Sequence, residues 1–430
     1  MGRLEPQLNA YRTVRADKAR REAVDAQRRI DTGERLPLLG VAVAIKDDID
    51  VAGELTAWGT AAHGPIKECD AEVVRRLRAA GAIVIGKTNV PEMTIWPFTE
   101  SPTFGPTRNP WDPSRSPGGS SGGTAAAVAA GLAPFGVGSD GGGSIRTPAT
   151  WCGTYGLKPQ RDRVPMTPHD DGWQGLIVNG PITRTVEDAA LFLDVTTSVC
   201  RHPKGLRRRR SSHSPSAADR GQHDQPARHP RARRDRAASR RHRGRRLAAR
   251  ARPRRRRMRP GLRRRCPSGW HITARYLRGI HDDVATIAHP ERLERRSRVD
   301  GASRPPRLRQ ADRHRSRRRD AHSQRVNAIF DDVDVVVTPG TADRARPVSA
   351  HSPGAEHSSP SARPWVAHRS RPSSTPPVNP PPSSAWGIDA TGLPTSIQLV
   401  GRPSDEATLL ALSTQIEISA PMDPPPTPIS

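Results

Sequence analysis

Aromatic residues make up only 4% of the 430 positions and apolar residues 34%. That is thin for a compact enzyme, although the length suffices for one large core or two ordinary domains. No run of eighteen apolar residues occurs, which excludes a membrane-spanning helix of the usual kind. The opening Met1-Gly-Arg-Leu-Glu-Pro6 lacks the basic-then-apolar order of a secretory leader, so a cytoplasmic location is expected. Four cysteines (Cys69, Cys152, Cys200, Cys266) lie far apart without a CxxC pair. This excludes a disulfide framework and a cysteine-built zinc site, and predicts a reduced protein without metal or other cofactor. There is no GK[ST] ending to any glycine loop and no G-x-S-x-G elbow, which removes the P-loop and the α/β-hydrolase readings.

Positive charge, by contrast, is abundant: the formal net charge is +27. Such a balance ordinarily suggests a nucleic-acid or membrane partner. Its distribution argues against that. Between Arg201 and Trp270 stand 27 Lys or Arg against three Asp, so this one stretch carries +24 and the rest of the chain only +3. A disordered basic arm on nucleic acid is a competing reading for 201–269. No aromatic residue that could stack on a base appears there before Trp270, and no RNA-binding module is recognisable.

The first two hundred residues read as alternating strand and helix. Ala16 to Arg29 is a charged helix, Gly40 to Lys46 a strand buried on both faces, and Ala71 to Ala80 a helix closed by Gly81. Ala82 to Gly86 follows as a second buried strand, and Thr185-Val-Glu-Asp188 is a capping box opening an apolar helix to Val195. Residues 201–269 and 301–324 then hold Arg, Pro, Ser, His and Ala without periodicity, and 345–385 is Pro/Ser-rich. Ordinary sequence resumes at 270–300 (helices), 325–344 (helix end, turn, strand) and 386–418 (strand, then a helix capped from Ser404), before a Pro-rich tail at 419–430. This rhythm predicts an α/β fold with a sheet covered by helices.

Two glycine loops carry the chemistry. Ser116 to Gly123 opens onto an alanine-rich helix, and Gly138-Ser-Asp-Gly-Gly-Gly-Ser-Ile-Arg146 follows. A serine that ends three glycines can sit on a tight turn beside unpaired N–H groups, as an acyl-transfer nucleophile requires. Taken alone, each loop reads more often as a phosphate cradle or a simple connection than as a nucleophile's turn. No histidine falls in these motifs, so a base must be another group. Lys46, ending a buried strand, is a candidate because desolvation pushes a lysine towards its neutral form. By itself it also reads as a lysine reaching to solvent.

Lys46 with its strand, Gly86-Lys-Thr-Asn-Val-Pro-Glu-Met93, Phe104 to Gly123 and Gly138 to Pro159 together resemble the amidase signature family. So does the spacing of 24 residues between Ser120 and Ser144. The resemblance covers roughly Leu8 to Val195 and returns after each aperiodic stretch. It implies a mixed central β-sheet with helices on both faces, and a triad of Ser144 as nucleophile, Ser120 as bridging serine behind a non-proline cis peptide, and Lys46 as neutral base. It further implies an oxyanion site at the N–H groups of Gly141, Gly142, Gly143 and Ser144, with Ser121 and Ser139 as supporting positions. For Asp140 and Arg146 a structural ion pair is the preferred reading. The implied partner is a small-molecule amide, and a homodimer stays open. The family also contains the amidase component of a tRNA-dependent amidotransferase, which the glycine loops do not exclude. The family is ordered where this chain is Arg- and Pro-rich, so disordered stretches produced by frame slips in a G+C-rich gene are expected at 201–269, 301–324 and 345–385.

Overall fold

The computed structural model describes residues 1–169, 172–197, 268–295, 297–298, 323–324, 326–348 and 382–421. They belong to one compact unit, Met1–Arg210 with Ser268–Ser430. The second unit, Ser211–Pro267, and with it most of the Arg-rich and Pro/Ser-rich stretches, lies outside the described residues.

Strand β2 (Ala42–Lys46) shows how the sequence builds the layers. Side chains alternate across a strand, so Val43 and Ile45 leave one face and Ala44 and Lys46 the other. Val43 and Ile45 are fully buried in a cluster with Val73, Val74 and Leu77 of helix α3 (Glu72–Ala79) and with Phe192 and Leu193 of α6 (Val186–Thr196). Ala44 packs on the other side against Ala126 and Ala127 of α4 (Gly122–Ala129). Every α4 residue is buried and none is large, so a helix apolar all round can lie close to the sheet. Gly123 is one of the positions that allow this approach: a Cβ there would stand 2.5 Å from Ala10 O and Asn89 N.

Nine strands form the main sheet: β1 (Tyr11–Val14), β2, β3 (Ile83–Thr88), β6 (Phe135–Asp140), β7 (Tyr155–Leu157), β8 (Val178–Thr183), β9 (Val335–Pro339), β10 (Pro382–Ile388) and β11 (Pro394–Gly401). Their order is β1-β3-β2-β6-β8-β7-β10-β11-β9. The β3-β2-β6 centre is parallel and the remaining pairings are antiparallel, which makes the sheet mixed. Strands β4 (Glu100–Ser101) and β5 (Gly105–Pro106) make a separate small ribbon. Helices α1 (Glu5–Leu8), α2 (Ala16–Asp31), α5 (Arg146–Cys152), α7 (Ser268–Thr286) and α8 (Glu406–Ser419) complete the set among the described residues. None of these is long and apolar enough to cross a membrane.

Three boundaries differ from the sequence expectation. Strand β10 begins at Pro382, inside the Pro/Ser-rich stretch, because β7 and β11 supply partners on both edges. Residues Ala345–Val348 of the same stretch are seated too: Ala345 is buried with Trp111, Trp151 and Leu393. Helix α8 is capped by Asp405, whose side chain accepts the Thr408 N–H at 3.3 Å, rather than by Ser404, which adopts φ +61°. Thr185 caps α6, its hydroxyl oxygen accepting the Asp188 N–H at 3.1 Å.

Candidate active site

Lys46 is the last residue of β2 and shares the face of Ala44, so its side chain runs towards the N-terminal end of α4. It is fully buried. Its Nζ donates to Ser120 Oγ at 2.8 Å and to Ser139 Oγ at 2.6 Å, and lies 3.2 Å from Asp48 Oδ2. Ser120 enters through a cis peptide with Gly119, just ahead of α4. Burial pushes the Lys46 ammonium below its ordinary value, while the Asp48 and Asp140 carboxylates pull the other way.

The second glycine loop leaves β6 at Asp140 and enters α5 at Arg146. Asp140 is buried beneath this turn and organises it. Its carboxylate accepts the N–H groups of Gly143 at 2.8 Å, Ile145 at 3.1 Å and Arg146 at 3.4 Å. The Arg146 guanidinium closes on the same carboxylate with two contacts of 2.9 Å. Despite its burial, Asp140 is held well below the usual carboxylate range by Arg146, Lys158 and these amides. Lys158, also buried, is brought down to about 8 by desolvation, against the pull of Asp140.

Ser144 is half-buried at the end of this loop, and its carbonyl accepts the Ser121 N–H at 3.1 Å. Gly143 reaches φ +122°, a conformation that favours glycine. Ser121 Oγ donates to Ser139 O at 3.2 Å, and Ser139 Oγ donates to Asp48 Oδ2 at 2.6 Å. Lys46, Ser120, Ser121, Ser139 and Asp48 therefore form one connected network, with the Ser144 loop joined to it through the main chain. Among the described residues the Ser144 hydroxyl makes no hydrogen bond. The Gly143 amide is turned onto Asp140, leaving Gly141, Gly142 and Ser144 outside that carboxylate's set.

Sequence reasoning did not single out Asp48 or Lys158. Asp48 was open to detection: Lys46-Asp-Asp-Ile-Asp50 places three carboxylates directly after a buried strand, where each needs a partner. Nor did it find the cavity of about 370 Å³ beside the network, which runs from Asp48 and Ser139 to Trp58, His169, Trp173 and Asp283. The walls meet the glycine loop directly, since a Cβ on Gly141 would stand 3.0 Å from Ile177 and 3.2 Å from Trp173. Burial raises Asp283 to about 6, opposed by the Trp173 indole N–H, which donates to it at 2.6 Å. His169 is held towards its charged form by Asp50, 3.7 Å away. No cluster of potential metal ligands occurs among the described residues.

Known proteins resemble this chain in sequence and fold. The family model described as Amidase matches residues 1–228. AmiB2 of Mycobacterium tuberculosis (strain ATCC 25618 / H37Rv), which is named as an amidase, is 48% identical over 443 residues, covering 97% of this chain and 90% of that one. A glutamyl-tRNA(Gln) amidotransferase subunit of Alkaliphilus metalliredigens is 45% identical over 194 residues, 45% of this chain and 40% of that protein. Among solved structures, 6-aminohexanoate cyclic dimer hydrolase in complex with its substrate superposes with a TM-score of 0.73 at 24% identity, covering 99% of this chain and 92% of that one. The fold is thus the amidase signature fold, and the chain belongs to the Amidase family of amide-hydrolysing enzymes.

Proposed function

We propose that this chain cleaves a small-molecule carboxylic amide through an acyl-enzyme on Ser144, with Ser120 as proton relay and Lys46 as base. The observation that carries the reading is the 2.8 Å contact between the fully buried Lys46 Nζ and Ser120 Oγ, next to the loop that ends in Ser144. Neutral Lys46 accepts the Ser120 proton as Ser120 takes the proton of Ser144, and Ser144 Oγ adds to the amide carbonyl. The Gly141, Gly142 and Ser144 amides are available to the developing oxyanion, and Asp140 with Arg146 holds the turn that presents them. The proton returns along the relay to the leaving amine, and water then releases the carboxylate by the same steps. The Ser144 hydroxyl has yet to engage Ser120, as expected of relay contacts that tighten when substrate binds.

A free-standing amidase is favoured over a component of an amidotransferase because the likeness to AmiB2 runs over 97% of the chain, against 45% for the amidotransferase protein. The basic stretch on which a nucleic-acid reading rests lies outside the described residues. The test is a serine-reactive fluorophosphonate followed by peptide mapping. Label should fall on Ser144 and vanish in Ser144→Ala; undiminished labelling of that variant overturns the assignment.

A further inference from the structure

The cavity beside the network is acidic in an uneven way. Of the acids in its wall, Asp48 has Lys46 at 3.2 Å and Asp282 has Arg278 at 2.8 Å. Asp283 lines the same cavity and, among the described residues, has no cationic partner within ion-pair distance. Its hydrogen-bond donor is the Trp173 indole. Two further acceptors in the wall are buried and unpartnered among the described residues: Asp48 Oδ1 and Asn179 Oδ1, on residues 8% and 4% exposed. Buried acceptors without donors are costly, so a wall that collects several implies a donor-bearing occupant. Among the described residues no Lys or Arg lines the cavity, and the titratable groups that face Asp283 are His169, Asp282 and Asp48.

The proposed chemistry sharpens the imbalance. When Lys46 is neutral, as a base must be, Asp48 loses its own counter-ion, and the wall's remaining cation among the described residues, His169, is held by Asp50, 3.7 Å away. The wall is then short of positive charge at the moment the site is ready to react. Trp58, Trp173 and Ile177 supply flat and apolar surface between these polar points. That combination suits a short alkyl or aryl stem ending in an ammonium group.

We propose that this cavity is a specificity pocket for a cationic amide, holding the substrate's protonated amino group between Asp283 and Asp48 with its stem against Trp58 and Trp173. The inference rests on the amide-hydrolase reading of the adjoining serine network and deepens it by naming the substrate class. Burial that raises Asp283 to about 6 fits this role, since a bound ammonium restores its charged form.

The test uses the full chain and matched pairs of amides that differ only in a terminal ammonium or methyl group. One pair is aminopentanoyl and hexanoyl nitroanilide, with the cation on the acyl side. The other is N-aminopentyl and N-hexyl benzamide, with the cation on the amine side. In at least one pair the cationic member should show kcat/KM at least ten-fold higher, and Asp283→Asn should shrink that ratio at least five-fold. Binding is measured separately, by tryptophan fluorescence of Ser144→Ala titrated with the four amides. There the cationic member of at least one pair should bind at least ten-fold more tightly. Turnover without a cationic preference in either pair overturns this inference and leaves the hydrolase reading standing. Cationic preference in binding with no turnover by the unsubstituted chain supports the pocket and removes the serine mechanism. Equal binding within both pairs, with or without turnover, overturns the pocket.

Discussion

Below the pH at which Lys46 gives up its proton, replacing it by methionine removes one charge from a site where it touches three groups, and the structure separates the consequences for folding from those for catalysis. Ser139 keeps its 2.6 Å hydrogen bond to Asp48, so the network's far side retains its anchor. Asp48 loses the ammonium at 3.2 Å while its own side chain stays 7% exposed. An uncompensated buried charge costs about 3–5 kcal/mol, only partly offset by no longer burying a lysine. The single variant should therefore lose about 2–4 kcal/mol of stability, read as a lower urea midpoint at unchanged slope. Lys46→Met with Asp48→Asn removes both charges and should recover most of that loss. Neither variant has a base for the Ser120 relay, so both should lose at least about a thousand-fold in kcat/KM, which corresponds to about 4 kcal/mol of transition-state stabilisation. Lys46→Arg should be equally inactive, because a guanidinium stays protonated at any working pH. A hydrolysis rate within ten-fold of the unsubstituted chain in the double variant would refute the role of Lys46, whatever the stability data show.

Activity should rise from acid towards mildly alkaline pH: burial lowers the Lys46 value, the neutral form is the active one, and its fraction grows with pH. A kcat/KM profile that falls or stays flat across that range contradicts it. Asp140→Asn leaves the Arg146 guanidinium buried without its anion and should cost about 3–5 kcal/mol in urea unfolding. Because the Asp140 value is depressed in the fold, its contribution is present above the ordinary carboxylate range and is lost as pH falls through the folded value, so the variant's stability should vary less in acid. For the Arg- and Pro-rich stretches, translating codons 201–269 in the other forward frames should yield amidase-like sequence, and restoring that frame should raise soluble yield and activity. Alternative frames without such sequence would dispose of the frame-slip account.

What was legible in the sequence follows from where one physical cause dominates. Strands β2 and β3 are runs of Val, Ile and Ala because both faces are covered, and the Thr185 cap announces itself within four residues. Strand β6, Phe-Gly-Val-Gly-Ser-Asp, hides its period: Gly136 and Gly138 stand where Thr124 and Ser121 press against the sheet, a cause visible only in three dimensions. Strand β10 reads as Pro/Ser-rich coil because its neighbours, rather than its own side chains, make it a strand. That Lys46, Ser120 and the Ser144 loop lie together was legible from the two loops and their likeness to a family. The cavity was not, since residues 48, 58, 139, 169, 173, 279 and 283, among others, meet there with no shared motif.

Lys46 and Lys87 together show why burial alone does not identify a base. They sit on adjacent parallel strands, one beside the Cα partner of the other, and both are fully buried with values lowered by desolvation. Lys46 pairs with Thr88, so Lys87, one residue earlier, leaves the opposite face of the sheet. There its Nζ meets Asp47 at 3.2 Å, Ile49 O at 2.7 Å and Thr56 Oγ1 at 3.2 Å, while Arg12 binds Asp47 from the other side. A carboxylate, a carbonyl and one threonine hydroxyl surround it, and no serine of either glycine loop is among these contacts. Lys46 instead donates to two serine hydroxyls, one of which follows a turn that leads into α4 and the other of which borders the cavity. The Ser120 hydroxyl stands next to the loop that ends in Ser144 and can pass a proton on, whereas the Thr56 hydroxyl beside Lys87 has no such neighbour among these contacts, so the proposed base belongs to the Lys46 face and Lys87 is a brace.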